Sequence, residues 1–137
     1  MSYQFSVAAR NGALDAIEVA AGTSAILRIY DLTAGAPANC AASITATLLV
    51  EMTLPSDWMA AASSGAKAKS GTWQDTSANN AGTADFFRVW DSAGTTCHIQ
   101  GTVTATGGGG DMTIDNTSIA AGQQVTVTAF DLTAGGA

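Results

Sequence analysis

Residues 84–104 have the sequence ADFFRVWDSAGTTCHIQGTVT, in which two strand-like stretches flank a short polar turn. The stretches, 84–91 and 96–104, are rich in aromatic and β-branched residues, and the linking residues 92–95 include a glycine. Apolar and polar side chains alternate along the second stretch in particular. The pattern therefore predicts a β-hairpin with one buried face.

The alternation also assigns side chains to the faces of this hairpin. Phe86, Arg88 and Trp90 fall on one face of the first strand, opposite Phe87 and Val89. On the second strand one face carries Cys97, Ile99, Gly101 and Val103, and the other carries His98, Gln100, Thr102 and Thr104.

Residues 6–21, upstream of the hairpin, are predicted to form a helix. Ser6 is a suitable N-cap and Gly22 a suitable C-terminal stop. The face predicted to dock on a sheet consists of Val7, Leu14, Ile17 and Ala21.

Further strands are predicted at 24–32, 44–54, 67–75, 111–115 and 123–132, with loops at 33–43 and 106–110. In the last strand Val125, Val127 and Ala129 alternate with Thr126, Thr128 and Phe130. The expected fold is mainly β: a β-sandwich or jelly-roll-like single domain of seven or eight strands, spanning 1–137, with the helix at 6–21 and the β-sandwich at 24–135.

Two short motifs recur 100 residues apart. VAAG at 19–22 resembles IAAG at 119–122, and DLTAG occurs at both 31–35 and 131–135. The recurrence indicates either two equivalent strands that end in the same turn or coincidence in a chain of small residues.

The composition excludes several functions. Charged residues are 12% of the chain, hydrophobic residues 47%, and the net charge is −6 with five scattered Lys and Arg. We expect neither nucleic-acid binding, which needs clustered cations, nor attachment to anionic membranes. No apolar run is long enough for a membrane-spanning helix, and the first residues lack a signal-peptide pattern, so we expect assembly in the cytoplasm.

No residue pattern indicates catalysis, a metal or a cofactor, and we expect that the protein is not an enzyme. His98 is the single histidine, and its neighbour Cys97 points to the other face of the strand, so the two cannot form a nucleophile–base pair. The glycines at 107–110 lack the lysine of a phosphate-binding loop and the aspartate spacing of calcium loops, which predicts a flexible hairpin loop.

Cys40 and Cys97 are the two cysteines. They are either small buried apolar residues or a disulfide that braces the loop around Cys40 against the strand with Cys97. Trp58, Trp73 and Trp90 are the candidates for contact or stacking residues, and they would form the platform of a carbohydrate-binding module.

The chain resembles a family of small proteins encoded in the structural gene clusters of tailed phages and prophages. The motifs that carry this resemblance are FSVAARNGALDAI (5–17), LPSDWMA (54–60), GTWQD (71–75), AGTA (81–84), FRVWDS (87–92), GTV (101–103) and DNTSIAAG (115–122). The glycine run after Thr106 lies outside this pattern.

The resemblance implies a structural protein of the virion and no catalytic residues. Within the virion we expect a capsid decoration or cement protein that binds the major capsid protein as a homo-oligomer, for which a trimer suits symmetric shell positions. The alternatives are a tail, neck or fibre protein and, from another functional class, a carbohydrate-binding module.

Overall fold

The computed structural model describes residues 3–136. Strands hold 39% of the residues and a helix 11%, which confirms the prediction of a mainly β fold with one N-terminal helix. The elements are α1 (Val7–Ala21), β1 (Ile26–Asp31), β2 (Leu48–Thr53), β3 (Ala66–Ala68), β4 (Gln74–Asp75), β5 (Gly82–Trp90), β6 (Cys97–Ala105), β7 (Met112–Ile114), β8 (Ser118–Ile119) and β9 (Val125–Thr133). The strand expected at 67–75 is thus two short strands, and that expected at 44–54 begins only at Leu48.

The strands form a single curled, mixed sheet in the order β2-β1-β5-β6-β7-β9-β3, with β4 paired to β9 and β8 paired to β5. The backbone N–H of Glu51 in β2 donates to Asp75 Oδ2 in β4 at 3.2 Å, so the curl brings distant parts of the sheet together. No helix within residues 3–136 is long and apolar enough to cross a membrane.

The helix begins and ends where capping chemistry predicts. Ser6 Oγ accepts a hydrogen bond from Ala9 N at 3.1 Å, and Gly22 has a φ of 86° while its N–H donates to Glu18 O. Of the predicted apolar face, Leu14 and Ala21 are buried, but Val7 is about half exposed. Apolar contact therefore explains only part of the docking.

Polar side chains of α1 complete its attachment to the segment before and within β3. Asn11 accepts from Gly65 N at 2.9 Å, Asp15 from Ala62 N at 3.0 Å and Glu18 from Met59 N at 3.0 Å. The buried ammonium of Lys67 lies 2.7 Å from Asp15 and 3.0 Å from Glu18. These contacts satisfy backbone donors that no strand partner reaches.

The core is one cluster on the inner face of the sheet. Trp58 and Trp73 lie at its centre, fully buried, and Trp73 packs against Phe130 with ring centroids 5.6 Å apart. The expected placement of Phe130 on the same face of the last strand as Thr126 and Thr128 is wrong. The register shifts between the pairs Thr113–Ala129 and Ile114–Val127, and this irregularity turns Phe130 inward.

A similar irregularity changes the predicted assignment of side chains to the two faces of the β5–β6 hairpin. Arg88 pairs with Gln100 and Val89 with Ile99, but Trp90 pairs with Cys97, so His98 is an extra residue. Because directly opposed residues share a face, Cys97 lies beside Trp90 rather than with Ile99. The expectation of a single buried face is also wrong, since Phe86 and Arg88 are buried on the outer side.

The glycine run does not form the expected hairpin loop. Strands β6 and β7 are parallel, and the residues between them fold back over Thr104. Gly110 N donates to Thr104 Oγ1 at 3.0 Å, and the side chains of Thr102 and Asp111 hydrogen bond each other at 3.0 Å. The glycine run is therefore a loop held by hydrogen bonds, in which glycine lets the backbone approach Thr104 closely.

The recurring motifs are not structurally equivalent. Residues 19–22 end a helix, whereas 119–122 leave a strand for a turn, and Asp131 lies inside β9 while Asp31 ends β1. The structure therefore does not contain the two equivalent strands ending in the same turn that one interpretation of the recurrence required.

Candidate functional site

The outer face of strands β1, β5 and β6 carries an unusual set of polar and aromatic side chains. Arg28 is directly opposite Arg88, and Tyr30 is directly opposite Phe86. The rings of Tyr30 and Phe86 stack with centroids 5.0 Å apart. Since opposed residues share a face, two cations lie side by side in the middle of the sheet.

The loop between β1 and β2 covers this face. Arg88 Nη2 donates to the carbonyls of Asn39 and Ala42, at 2.9 and 2.8 Å, and Gln100 Nε2 donates to the carbonyl of Pro37 at 2.8 Å. Gln100 Oε1 in turn accepts from Arg88 Nε at 2.8 Å. Strand side chains thus hold the loop in place through its backbone.

A disulfide joins the same loop to the sheet. Cys40 and Cys97 are bonded, with their Cα atoms 5.4 Å apart. Of the two alternatives that the sequence left open, the structure contains the bridge, and it braces the Cys40 loop against β6. The bulge at His98 makes this geometry accessible because it turns Cys97 to the covered face.

A pocket of about 610 Å³ remains between the loop and the sheet. It is lined by Arg28, Tyr30, Cys40, Ala41, Ala42, Ser43, Ile44, Arg88, Trp90, Thr95, Thr96 and Cys97, and we call it the Arg28–Arg88 pocket. Its size is that of sites for small molecules.

The two arginines have different partners. Arg28 Nε lies 2.6 Å from Glu51 Oε2, and its Nη1 donates to the carbonyl of Gly94 at 3.1 Å. Arg88 is only 2% exposed, and its hydrogen bonds go to neutral oxygens. Burial lowers the pKa of Arg88, although a guanidinium remains charged at neutral pH.

Trp90 lies against both arginines, whose Cζ atoms are 5.2 and 5.5 Å from its ring. These cation–π contacts offset part of the repulsion between the two guanidinium groups. The indole Nε1 of Trp90 is buried and finds no acceptor within residues 3–136. A buried donor without a partner costs free energy, so its presence beside a pocket calls for an explanation.

The phenol of Tyr30 forms another wall of the pocket. Burial raises the pKa of Tyr30, and the nearby Trp90 N–H and the two arginines oppose that rise without cancelling it. The indole lies close enough to favour the phenolate but outside hydrogen-bonding geometry. Tyr30 is therefore a neutral donor at physiological pH.

The structure separates the three tryptophans. Trp58 Nε1 donates to Gly22 O at 2.9 Å and Trp73 Nε1 to Ser70 O at 3.0 Å, both inside the core. Neither ring can present a face to a sugar. Of the three, Trp90 alone lines the Arg28–Arg88 pocket.

His98 is half-buried in the bulge of β6. Hydrogen bonds from the backbone N–H groups of Thr95 and Thr96 lower the pKa of the nearby Asp91, and the charge of His98 adds a smaller effect in the same direction. Residues 3–136 contain no cluster of three His, Cys, Asp or Glu side chains arranged to hold a metal ion.

Arg28 and Arg88 are not among the site residues predicted from the sequence. The available signal was their placement, because each interrupts an apolar strand, within ILRIY at 26–30 and FFRVW at 86–90. A charged residue between large apolar ones indicates a buried or covered charge.

Comparison with protein-family models, curated proteins and solved structures finds no match to this chain.

Proposed function

We propose that this chain is a structural protein of a phage virion that decorates the head shell by binding the major capsid protein. The observation that carries the proposal is a group of exposed apolar side chains where the two ends of the chain meet. Tyr3, Phe5 and Val7 are 80%, 49% and 48% exposed, and we call them the terminal patch. Exposed apolar groups of this kind are typical of association surfaces.

The terminal patch is organised by contacts within the chain. The rings of Tyr3 and Phe5 pack edge to face, with centroids 5.3 Å apart, and Phe5 N donates to Gly136 O at 2.6 Å. Residues 3–9 and 132–136 contain no charged side chain. A shell protein that covers these residues therefore desolvates no charged side chain of their own.

The remaining surface supports the same role. Charged residues are few, and small residues lose little side-chain entropy when a neighbour covers them. The Cys40–Cys97 disulfide suits a protein that works after release into an oxidising medium. The resemblance to small phage structural proteins agrees with both features.

Copy number in purified particles tests the proposal. Quantitative mass spectrometry against the major shell protein should give a number comparable with the count of equivalent lattice sites. A count typical of the neck or a fibre would favour the tail alternative instead. Absence of the chain from the particle would refute virion membership.

A variant of the terminal patch tests whether this surface makes the contact with the shell. A Tyr3→Ser/Phe5→Ser variant should lose attachment to particles that lack the protein, while its thermal stability changes little. Val19→Ser is the matched control, because Val19 is 79% exposed on α1, outside the terminal patch. Equal attachment of the two variants would exclude the terminal patch as the contact.

Trp90 keeps the carbohydrate-binding alternative open, since it lines a pocket whereas Trp58 and Trp73 do not. Host polysaccharide that quenched the fluorescence of the wild type but not of Trp90→Phe would support this alternative.

A further inference from the structure

We propose that the Arg28–Arg88 pocket binds a small organic carboxylate. The inference goes beyond a role in the virion and does not depend on it. It rests on a buried cation without an anionic partner, an unpaired indole donor, and an open pocket that both of them line.

Two of the few cations in the chain lie at this pocket. The chain has a net charge of −6 and five Lys and Arg, yet two of the five are directly opposed on neighbouring strands. Each ion pair found in residues 3–136 involves Arg28 or Lys67, so Arg88 has no carboxylate partner there. A buried guanidinium that is paired only with neutral groups is stabilised by any anion that reaches it.

The two arginines do not use all of their N–H groups within the chain. Arg88 uses Nε and Nη2 to hold Gln100 and the loop, and Arg28 uses Nε and Nη1 for Glu51 and Gly94. One Nη group on each arginine is left without a bond to residues 3–136. Together with the indole Nε1 of Trp90, they are the donors available to a planar anion, and the nearby hydroxyl of Tyr30 is the group within the chain that competes for the indole and for Arg28.

The walls select the type of anion. Tyr30, Ile44 and the disulfide give the pocket apolar and aromatic sides, which favour a compact organic body. The acidic chain repels multiply charged ligands, so a singly charged group is preferred over phosphate. A carboxylate on a sugar ring or an aromatic ring meets both conditions.

Nuclear magnetic resonance of the indole N–H groups reads out the proposed contact. Glucuronate and benzoate are the probes, and glucose and benzamide are their neutral counterparts. A bound carboxylate should move the Trp90 resonance downfield in a saturable way. The resonances of Trp58 and Trp73 should stay in place, because their N–H groups already bond to Gly22 and Ser70.

The Trp90→Phe variant shows which indole N–H resonance belongs to Trp90. Titrations with the different probes then distinguish the possible ligands. The tighter of the two probes identifies a sugar acid or an aromatic acid as the ligand. Inorganic phosphate that binds as tightly as either probe would overturn the assignment to carboxylates. The proposal also fails if neither probe moves the resonance, or if a neutral counterpart moves it equally.

Variants at the rim test the role of charge without disturbing Arg88, which holds the loop. Arg28→Gln should weaken binding roughly 10- to 100-fold, the usual effect of losing a charged hydrogen bond. Glu51→Gln should tighten binding several-fold, because it removes the carboxylate that competes for Arg28. Lys69→Gln, which removes one positive charge outside the pocket, should leave the affinity unchanged. Weaker binding by Glu51→Gln, or equal effects of Arg28→Gln and Lys69→Gln, would refute the proposal.

Discussion

Gly110 and Gly12 differ in the space that the structure leaves for a side chain. A Cβ on Gly110 would lie 2.9 Å from the side chain of Thr104 and 3.0 Å from its backbone N, whereas a Cβ on Gly12 would meet nothing within 4 Å. Neither glycine has a positive φ. The difference between them is therefore one of space and not of backbone conformation.

We predict that Gly110→Ala lowers the free energy of unfolding by about 1–3 kcal/mol, the usual cost of overpacking. The contact with the backbone of Thr104 cannot be relieved by a rotamer change. Urea unfolding of the variant and the wild type measures the effect. Unchanged stability would mean that the return after β6 is not packed as described.

We predict that Gly12→Ala raises the free energy of unfolding by about 0.5–1 kcal/mol, because alanine has the higher helix propensity and the site is open. The same urea experiment applies. A loss of stability would show that the surface of α1 around Gly12 is covered by a neighbour.

At the scale of elements, two attachments hold the parts that strand pairing does not reach. Polar side chains of α1 bind Lys67 and the segment before β3, and the disulfide with Arg88 binds the loop between β1 and β2. Each attachment depends on a charge or a covalent bond, so each responds to solution conditions.

Acid should weaken the docking of α1. Hydrogen bonds from Lys67 and from the N–H of Ala62 lower the pKa of Asp15 below its ordinary value of 3.8. The folded state therefore binds this proton less readily than the unfolded state, and the stabilisation is present above pH 3.8 and lost as pH falls through the lowered pKa. Unfolding measured across this range should show a smaller acid loss for Asp15→Asn than for the wild type.

High pH should weaken the same contact by removing the proton of Lys67, the partner of Asp15. Burial alone would lower the pKa of Lys67, but hydrogen bonds to Asp15 and Glu18 raise it above 10.5 overall. Its contribution is complete below pH 10.5 and is lost as pH rises through the raised pKa. Asp57→Asn, at an exposed carboxylate outside this contact, is the control for both limbs and should follow the wild-type profile.

The disulfide should stabilise the fold by restricting the unfolded chain. It links residues 57 apart, and a Cys40→Ala/Cys97→Ala variant should lose about 2–4 kcal/mol in the free energy of unfolding. Reductant should destabilise the wild type to a similar extent and leave the variant unaffected. Equal sensitivity of both proteins to reductant would contradict the assignment.

At the scale of the whole molecule, the terminal patch and the sparse charge favour self-association. We predict a homotrimer, with a mass three times 13.7 kDa by light scattering, since closed rotational symmetry suits repeated positions on a shell. A monomer at all accessible concentrations would contradict this prediction. Tyr3→Ser/Phe5→Ser tests whether trimer formation and shell attachment use the same surface.

Local patterns in the sequence determined the helix, the hairpin and the main strands. The caps at Ser6 and Gly22 and the apolar alternation at 96–104 act over a few residues, and the backbone responds to them directly. The structure has nine strands where seven or eight were expected, because the strand predicted at 67–75 is two strands, β3 and β4, and because the two residues of β8 are too few to show a period.

The candidate site was decided by tertiary structure. The bulge at His98 shifted Cys97 to the face that carries Arg88, and the register of β1 against β5 placed Arg28 opposite Arg88. Residues 60 apart become neighbours through pairing energies summed over whole strands, and no short window contains that information. The sequence by itself therefore determined which segments are strands, whereas only the tertiary structure decided which side chains those strands bring together.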